Sequence, residues 1–149
     1  MQELSGRVAV VTGAASGIGR ALADRAAAEG MAVVMADVEA PALTAAAAEV
    51  RATGARVLDV VTDVADEAAV ARLADAAFAE FGGVHLLCQN AGVSGGGGPS
   101  WEIPDNAWQW TFGVNLWSIV YGLRVFVPRM IAQGEGHIVN TASSAGLKT

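Results

Sequence analysis

A glycine-rich segment near the start of the chain has the spacing of a phosphate-binding turn. The segment Thr12–Gly19 reads Thr-Gly-Ala-Ala-Ser-Gly-Ile-Gly and joins an apolar run, Arg7–Val11, to a predicted helix, Ile18–Glu29. Glycines at such a junction permit a sharp turn and let backbone N–H groups approach a pyrophosphate. The amino end of the helix adds unpaired donors, and the Ser16 hydroxyl adds another. The pattern predicts a dinucleotide-binding turn; the alternative is a tight connection that binds no ligand.

An acidic residue follows at a spacing that suits the ribose of the same ligand. Asp37 closes the second apolar run, Ala32–Asp37, 20 residues after Gly17. A carboxylate there can accept both ribose hydroxyls of the adenosine half and would repel a 2′-phosphate. The sequence has no arginine or lysine beside Ser16 or directly after Asp37 to receive that phosphate. We therefore expect NAD as the cofactor, with NADP less favoured; the alternative for Asp37 is a solvated turn residue.

Four segments, in order, resemble motifs of the short-chain dehydrogenase/reductase family. They are Thr12–Gly19, Asp63-Val64, Asn90–Gly92 and Gly136–Gly146, the last reading Gly-His-Ile-Val-Asn-Thr-Ala-Ser-Ser-Ala-Gly. The resemblance covers the whole chain, which corresponds to the N-terminal portion of the family's domain. It implies an NAD(P)-dependent oxidoreductase that transfers hydride between nicotinamide and an alcohol or carbonyl carbon. The implied partners are a small-molecule alcohol or ketone substrate and further copies of the full-length parent in a homo-oligomer.

The resemblance also implies a cofactor contact for each motif. Asp63 would contact the adenine amino group, Val64 would pack on the ring, and Asn90–Gly92 would allow close approach of the backbone. We expect Asn90 to tie neighbouring strands together as well. Gln89 departs from the family's usual Asn-Asn-Ala-Gly, which is expected to alter the local hydrogen bonding. The predicted cofactor-binding residues are Thr12, Gly13, Ser16, Gly17, Ile18, Gly19, Asp37, Asp63, Val64, Asn90, Ala91 and Gly92.

Two residues are predicted to take part in catalysis. Asn115 lies inside a predicted helix, where an asparagine amide competes for backbone hydrogen bonds, so we expect it to have a specific polar task. By resemblance, that task is to hold a water of a proton relay. Ser143 matches the family's serine that hydrogen-bonds the substrate oxygen, and the adjacent Ser144 is the rival assignment.

The family's acid/base pair, Tyr-x-x-x-Lys, has no match in this sequence. By resemblance the tyrosine is the general acid/base and the lysine lowers its pKa. The pair is expected about a dozen positions after Ser143, beyond the last residue. The sole tyrosine, Tyr121, has Val125 four positions later, and the sole lysine, Lys148, has Ser144 four positions earlier. We expect the chain to be inactive alone, as a fragment or a truncated gene product; the alternative is a non-catalytic dinucleotide-binding module.

The elements that must position these residues alternate between strand and helix. Apolar runs predict strands at 7–11, 32–37, 56–61, 84–89 and 137–141, and helices are predicted at 18–29, 41–53, 66–81 and 105–133. Pro128 is expected to kink or shorten the last helix. This alternation is typical of a parallel sheet covered on both faces. We expect one α/β domain over residues 1–149, a Rossmann-type doubly wound parallel sheet of order 3-2-1-4-5, truncated after strand five.

The aromatic residues lie mostly in the last third of the chain. The candidates to line a substrate pocket are Trp101, Trp108, Trp110 and Trp117, since the family places substrate near the loop after the fourth predicted strand. Trp101, in that loop, is the best of them. Trp108 and Trp117 are interpreted as core or subunit contacts. Tyr121 is expected to pack near Leu123 or Trp117.

Composition excludes several classes of function. The net charge is −6, with 15 acidic and nine basic residues and no basic cluster, which argues against a nucleic-acid partner. One cysteine, Cys88, rules out an internal disulfide and fits a reducing compartment. The first residues are too polar for a signal peptide, and Arg124 and Arg129 interrupt the most apolar stretch, so we expect a cytoplasmic protein without a membrane partner. No metal is expected, because His85 and His137 lack neighbours at ligand spacing.

Overall fold

Five parallel strands form the centre of the molecule. The structure, a computed structural model, describes residues 3–147. The elements in chain order are β1 (Val8–Thr12), α1 (Gly17–Ala28), β2 (Ala32–Asp37), α2 (Ala40–Ala52), β3 (Val57–Val61), α3 (Glu67–Phe81), β4 (Leu86–Gln89), α4 (Asp105–Phe112), a π turn (Gly113–Trp117), α5 (Ser118–Gln133) and β5 (His137–Asn140). The sheet order is β3-β2-β1-β4-β5 with every neighbouring pair parallel, which confirms the predicted fold. The predicted element bounds differ from these by at most two residues, except that the helix predicted at 105–133 is divided by the π turn.

The sheet has an apolar core on each face. Successive residues of a strand point to opposite faces, so Val10 packs in one core and Val11 in the other. The core that contains Val10 is closed by α3 and α5 and includes Phe126, which is fully buried. The core that contains Val11 is closed by α1 and α2 and includes Leu43. Burial on both faces explains why the strands are continuous apolar runs rather than alternating ones.

The predicted long helix is interrupted at a different place from the one expected. Pro128 lies inside α5, which continues to Gln133, so this proline does not shorten the helix. The interruption is the π turn Gly113–Trp117, with Asn115 at its middle. A π turn adds a residue to a helical turn and is frequent at functional sites. The expectation that Pro128 shortens the helix was therefore wrong, and the interruption lies instead at a turn with a polar residue at its middle.

Large apolar side chains remain exposed along this helical region. Phe112, Leu116, Trp117 and Leu123 are each between 39% and 49% exposed. Trp108 stacks on Phe112, with ring centroids 5.8 Å apart, and is also exposed. The interpretation of Trp108 and Trp117 as core residues is therefore wrong, and their role as subunit contacts stays a prediction. Tyr121 stacks on Trp117 with ring centroids 6.1 Å apart, as expected.

Candidate functional site

A cleft of about 490 Å³ opens at the carboxyl ends of the strands, where β1 and β4 are neighbours. It is the switch point of a doubly wound sheet, where ligands bind in such folds. The cleft is lined by Gly13, Ser16, Gly17, Ile18, Asp37, Val38, Thr62, Asp63, Val64, Asn90, Ala91, Gly92, Val93, Trp110, Val114 and Thr141. Of the residues predicted to bind the cofactor, all but Thr12 and Gly19 are in this lining.

The three glycines of the turn serve two different purposes. Gly13 and Gly17 have φ angles of +67° and +55°, in the left-handed region that side chains disfavour. A Cβ on Gly17 would meet no atom within 4 Å, because it would point into open space at the cleft. Gly19 is buried, and a Cβ there would lie 2.0 Å from the Gly13 carbonyl oxygen. Gly19 therefore lets α1 pack against the turn, while Gly17 keeps the cleft open at the positive end of the helix.

Thr12 and Asn90 hold the strand ends together beneath the cleft. The buried Thr12 hydroxyl accepts hydrogen bonds from the backbone N–H groups of Asn90, at 3.0 Å, and Ala91, at 3.1 Å. The Asn90 side-chain nitrogen donates to the Thr12 carbonyl at 3.2 Å, and its oxygen accepts from the Thr141 hydroxyl at 3.0 Å. Asn90 thus joins β1 to the residue that follows β5, which confirms the expected tie between strands. Thr12 supports the cleft from below instead of lining it.

Two carboxylates stand at the other end of the cleft. Asp37 Oδ2 accepts from the Ala15 backbone N–H at 3.0 Å, and its Oδ1 accepts from the Glu39 N–H at 3.1 Å. These bonds fix the carboxylate beside the glycine turn. Asp63 is exposed, and its Oδ1 accepts from the Ala65 N–H at 2.9 Å, while Val64 beside it is buried. Each carboxylate therefore has a fixed orientation and lone pairs left to accept from a ligand.

Asn115 attaches the helical region to the start of the loop after β4. Its side-chain nitrogen donates to the Val93 carbonyl and its oxygen accepts from the Val93 N–H, both at 2.8 Å. This two-point contact gives a physical reason for the π turn, because the amide reaches a main chain outside the helix. One N–H and one lone pair of the amide remain for a further partner. The water-holding role implied by the family stays a prediction.

Ser143 lies beside the cleft on the segment that follows β5. Thr141, two residues earlier, lines the cleft, whereas Ser143 is exposed and outside the lining. The Ser143 Oγ accepts from the Ala145 N–H at 3.1 Å, so its hydroxyl hydrogen remains free to donate. Ser144 begins a short 3-10 turn, Ser144–Leu147. Lys148, which follows Ser144 by four positions in the sequence, lies outside the described residues.

Of the four tryptophans considered for a substrate pocket, Trp110 lines this cleft, and the assignment of Trp101 to a substrate pocket stays a prediction. Trp101 is 83% exposed and takes no part in the lining, whereas Trp110 does line the cleft. The spacing of Trp110 from Val114 and Asn115 in the sequence indicates its position at the cleft. Trp110 is four residues before Val114, so the two lie on one helix face, and Val114 immediately precedes Asn115. The lining residues Val38, Thr62, Val93 and Thr141 each adjoin a predicted site residue or lie two positions from one.

The remaining nucleophile and metal candidates have structural roles. Cys88 is buried in β4, and burial raises the pKa of its thiol to about 11, so the thiol is protonated at neutral pH. Cys88 therefore packs as a small apolar residue of the core and is no nucleophile. Within residues 3–147 no three His, Cys, Asp or Glu side chains are grouped as a metal site would require. In the same range no helix is long and apolar enough to cross a membrane.

Comparison with known proteins points to one family. A family model described as short chain dehydrogenase matches residues 7–149. The 1-deoxy-11-beta-hydroxypentalenate dehydrogenase of Streptomyces exfoliatus is 49% identical over 142 residues, which are 94% of this chain and 52% of that protein. The chain spans about half the length of the curated relatives it matches.

Solved structures are similar over the whole described fold. A short-chain dehydrogenase/reductase from Burkholderia phymatum, solved in complex with NAD, has a TM-score of 0.97 and 53% identity, covering 100% of this chain and 53% of its own. A metagenomic short-chain oxidoreductase, solved in complex with NADP, has a TM-score of 0.93 and 38% identity, covering 98% of this chain and 66% of its own. Because the family model matches residues 7–149, this chain belongs to the short-chain dehydrogenase family.

Proposed function

We propose that the chain binds a nicotinamide dinucleotide in the cleft, NAD in preference to NADP. We further propose that it supplies the cofactor-binding portion of an oxidoreductase acting on an alcohol or carbonyl carbon. The observation that carries this proposal is one cleft that combines an open glycine turn at the amino end of α1 with the fixed carboxylate of Asp37. A pyrophosphate fits the first element and a ribose diol fits the second.

The other lining groups fit the rest of such a ligand. Asp63 offers acceptors to an adenine amino group, and Val64 and Ile18 offer apolar surface to rings. Gly92 and Ala91 allow close approach of the main chain, because neither carries a side chain beyond Cβ. When bound, the nicotinamide supplies the hydride donor or acceptor, and the residues of this chain supply binding and orientation.

The charges around Asp37 support NAD over NADP. A 2′-phosphate at this place would meet the Asp37 carboxylate, and Glu39 follows two residues later. Arg20, in the first turn of α1, lies 2.9 Å from Asp24 and 3.0 Å from Glu49, measured between side-chain nitrogen and oxygen atoms. Both of its ion pairs hold it on the flank of α1. The 2′-phosphate would therefore lack the bidentate partner that an arginine provides.

The proposed chemical roles of the remaining residues follow from their free atoms. The Ser143 hydroxyl hydrogen can be donated to a substrate oxygen, which would orient the reacting carbon toward the cleft. Asn115 keeps Val93 and the loop after it against the helical region and has one N–H left for a water. Neither group is a proton acid or base at neutral pH, so their proposed work is orientation and hydrogen bonding.

Titration of the purified chain with both dinucleotides tests the proposal. We expect a lower Kd for NAD than for NADP. We expect Asp37→Asn to bring the two Kd values closer together, because it removes the charge that repels the 2′-phosphate. Glu80→Gln is a matched control, since it removes an exposed carboxylate of α3 outside the cleft lining. Tighter binding of NADP by the unsubstituted chain would refute the cofactor preference. Failure to bind either dinucleotide would refute the assigned site.

A non-catalytic dinucleotide-binding module is the second candidate. The position of Tyr121 favours this candidate. Tyr121, the sole tyrosine of the sequence, stacks on Trp117 and has Val125, not lysine, four positions later, so it does not form the Tyr-x-x-x-Lys pair. Binding without turnover would be common to this module and to a cofactor-binding portion of a larger enzyme. The two differ in whether a protein that also carries the Tyr-x-x-x-Lys pair turns over an alcohol.

A further inference from the structure

A glycine in the middle of α5 faces a buried side chain of the sheet. Gly122 is buried in the interior of this helix, where glycine is less favourable than alanine. A Cβ on Gly122 would lie 2.1 Å from the end of the Gln89 amide and 2.9 Å from its Cδ. Gln89 is the last residue of β4 and is only 7% exposed. Because Gly122 has no side chain, it leaves the space into which the Gln89 amide extends.

The Gln89 amide has partners on two further elements. Its end toward α5 lies 3.2 Å from the Ser118 carbonyl oxygen and 3.3 Å from the Ile119 carbonyl oxygen. Its other end lies 3.0 Å from the side-chain amide of Asn140, the partner of Gln89 in the β4–β5 ladder. An amide oxygen would be repelled by these two carbonyl oxygens, so the Gln89 nitrogen faces α5 and donates to them. The Gln89 oxygen then faces Asn140 and accepts from its side-chain nitrogen, with the Asn140 amide turned to present that nitrogen. One buried amide therefore joins β4, α5 and β5.

We propose that Gln89 is a positioning residue that fixes the carboxyl end of β5 against α5, and that Gly122 provides the space it requires. Asn140 is followed by Thr141, which lines the cleft, and then by Ser143. A displacement of Asn140 would move both. That Ser143 orients a substrate rests on the proposed function, whereas the packing of Gln89 into α5 does not depend on it.

Thermal unfolding of four forms of the 149-residue chain tests the packing: the parent, Gln89→Ala, Gly122→Ala and the double variant. We expect Gly122→Ala to lower the Tm of the parent, because its methyl group collides with the buried amide. In the Gln89→Ala background the same change should raise the Tm, because alanine favours the helix and fills the vacated space. A higher Tm for Gly122→Ala in both backgrounds would overturn the proposal.

Backbone amide spectra of the ¹⁵N-labelled chain test the positioning. We expect Gln89→Ala to shift the resonances of residues 140–143, and the double variant to recover Tm while these resonances remain shifted. If Gln89 only filled space, alanine at position 122 would restore both the Tm and the resonances. Unchanged resonances at 140–143 in Gln89→Ala, or restored ones in the double variant, would therefore overturn the positioning role. Failure of the parent to bind NAD would refute the proposed function and leave these results intact.

A same-size variant tests the hydrogen bonds separately from the volume. Gln89→Glu puts a carboxylate opposite the Ser118 and Ile119 carbonyl oxygens, where it has no hydrogen to donate. We expect a lower Tm at neutral pH that recovers toward the parent value as the pH falls and the carboxyl group is protonated. If Gln89→Glu unfolds with the parent's Tm at neutral pH, the amide donates no hydrogen bond of consequence to α5, and the proposal fails.

Discussion

Replacing Gly17 with valine should abolish dinucleotide binding while leaving the fold in place. Gly17 lines the cleft with a φ of +55°, and a Cβ there would enter open space in the cleft. The substitution therefore has two effects, a strained backbone and a side chain where a pyrophosphate would lie. Gly54→Val is a matched control. Gly54 has a φ of +92°, its Cβ would likewise meet no atom within 4 Å, and it lies outside the cleft lining.

The two effects have different magnitudes. A left-handed backbone costs an L-residue about 1–2 kcal/mol, so both variants should lose about that much unfolding free energy. In a chain of this size that loss corresponds to a decrease in Tm of roughly 2–8 °C. A hydrogen bond to a charged group contributes about 1.5–3 kcal/mol. If the valine keeps a phosphate from two N–H groups at the start of α1, binding weakens by about 3–6 kcal/mol, a factor of ~10²–10⁴.

Calorimetric titration with NAD, beside thermal unfolding of the same samples, measures both quantities. Gly17→Val and Gly54→Val should show similar decreases in Tm, but only Gly17→Val should lose affinity. NAD binding by Gly17→Val with the parent's Kd would refute the phosphate-turn assignment. Equal loss of affinity in both variants would show that backbone strain, not occupation of the cleft, is the cause.

Three further predictions concern pH, assembly and turnover. Burial, and then the nearby charge of Arg7, lower the pKa of His85, whose Nδ1 accepts from the Val8 N–H at 3.2 Å. The unfolded chain thus takes up this proton at a higher pH than the folded chain does, so the unfolding free energy should fall as the pH drops below the ordinary pKa of 6.5. His85→Asn should reduce this pH dependence when the unfolding free energy is measured with denaturant between about pH 7 and 5. An unchanged slope of unfolding free energy against pH would contradict this. The exposed apolar residues of α4, the π turn and α5 predict self-association, which sedimentation over a wide concentration range checks; a monomer throughout would be inconsistent with it. The 149-residue chain should form no NADH from NAD and a panel of alcohols, because positioned proton transfer contributes ~10²–10⁴-fold to the rate. A longer relative that carries Tyr-x-x-x-Lys is the positive control, and comparable turnover by the two would disprove the claim.

The sheet and most of the cleft could be predicted because their signals are local in the sequence. Continuous apolar runs gave the strands, and the glycine segment Thr12–Gly19 lies where a strand meets a helix. The strand order followed from the resemblance and from the rule that ligands bind at the switch point. Asp37 and Asp63 line the cleft because Asp37 closes β2 and Asp63 comes two residues after β3, where the carboxyl ends of the strands converge.

The features that sequence did not predict depend on contacts between distant residues. Thr12 supports the cleft because its hydroxyl meets the N–H groups after β4, which lie far from it in the sequence. The break at Gly113–Trp117 depends on the reach of Asn115 to Val93, 22 residues earlier, which no helix propensity includes. Local rules instead pointed to Pro128, which lies inside α5 without ending it.

The bonds of Asn90 constrain how this chain could be recombined with its relatives. Thr12, Asn90 and Thr141 are far apart in sequence but form one hydrogen-bonded unit across three strands. A hybrid gene whose crossover falls between Thr12 and Thr141 takes members of this unit from different parents. Such hybrids keep the unit only if both parents have matching residues at these positions. Crossovers beyond Thr141 leave it whole, so the cofactor cleft is inherited as a block while the segments that follow can be exchanged.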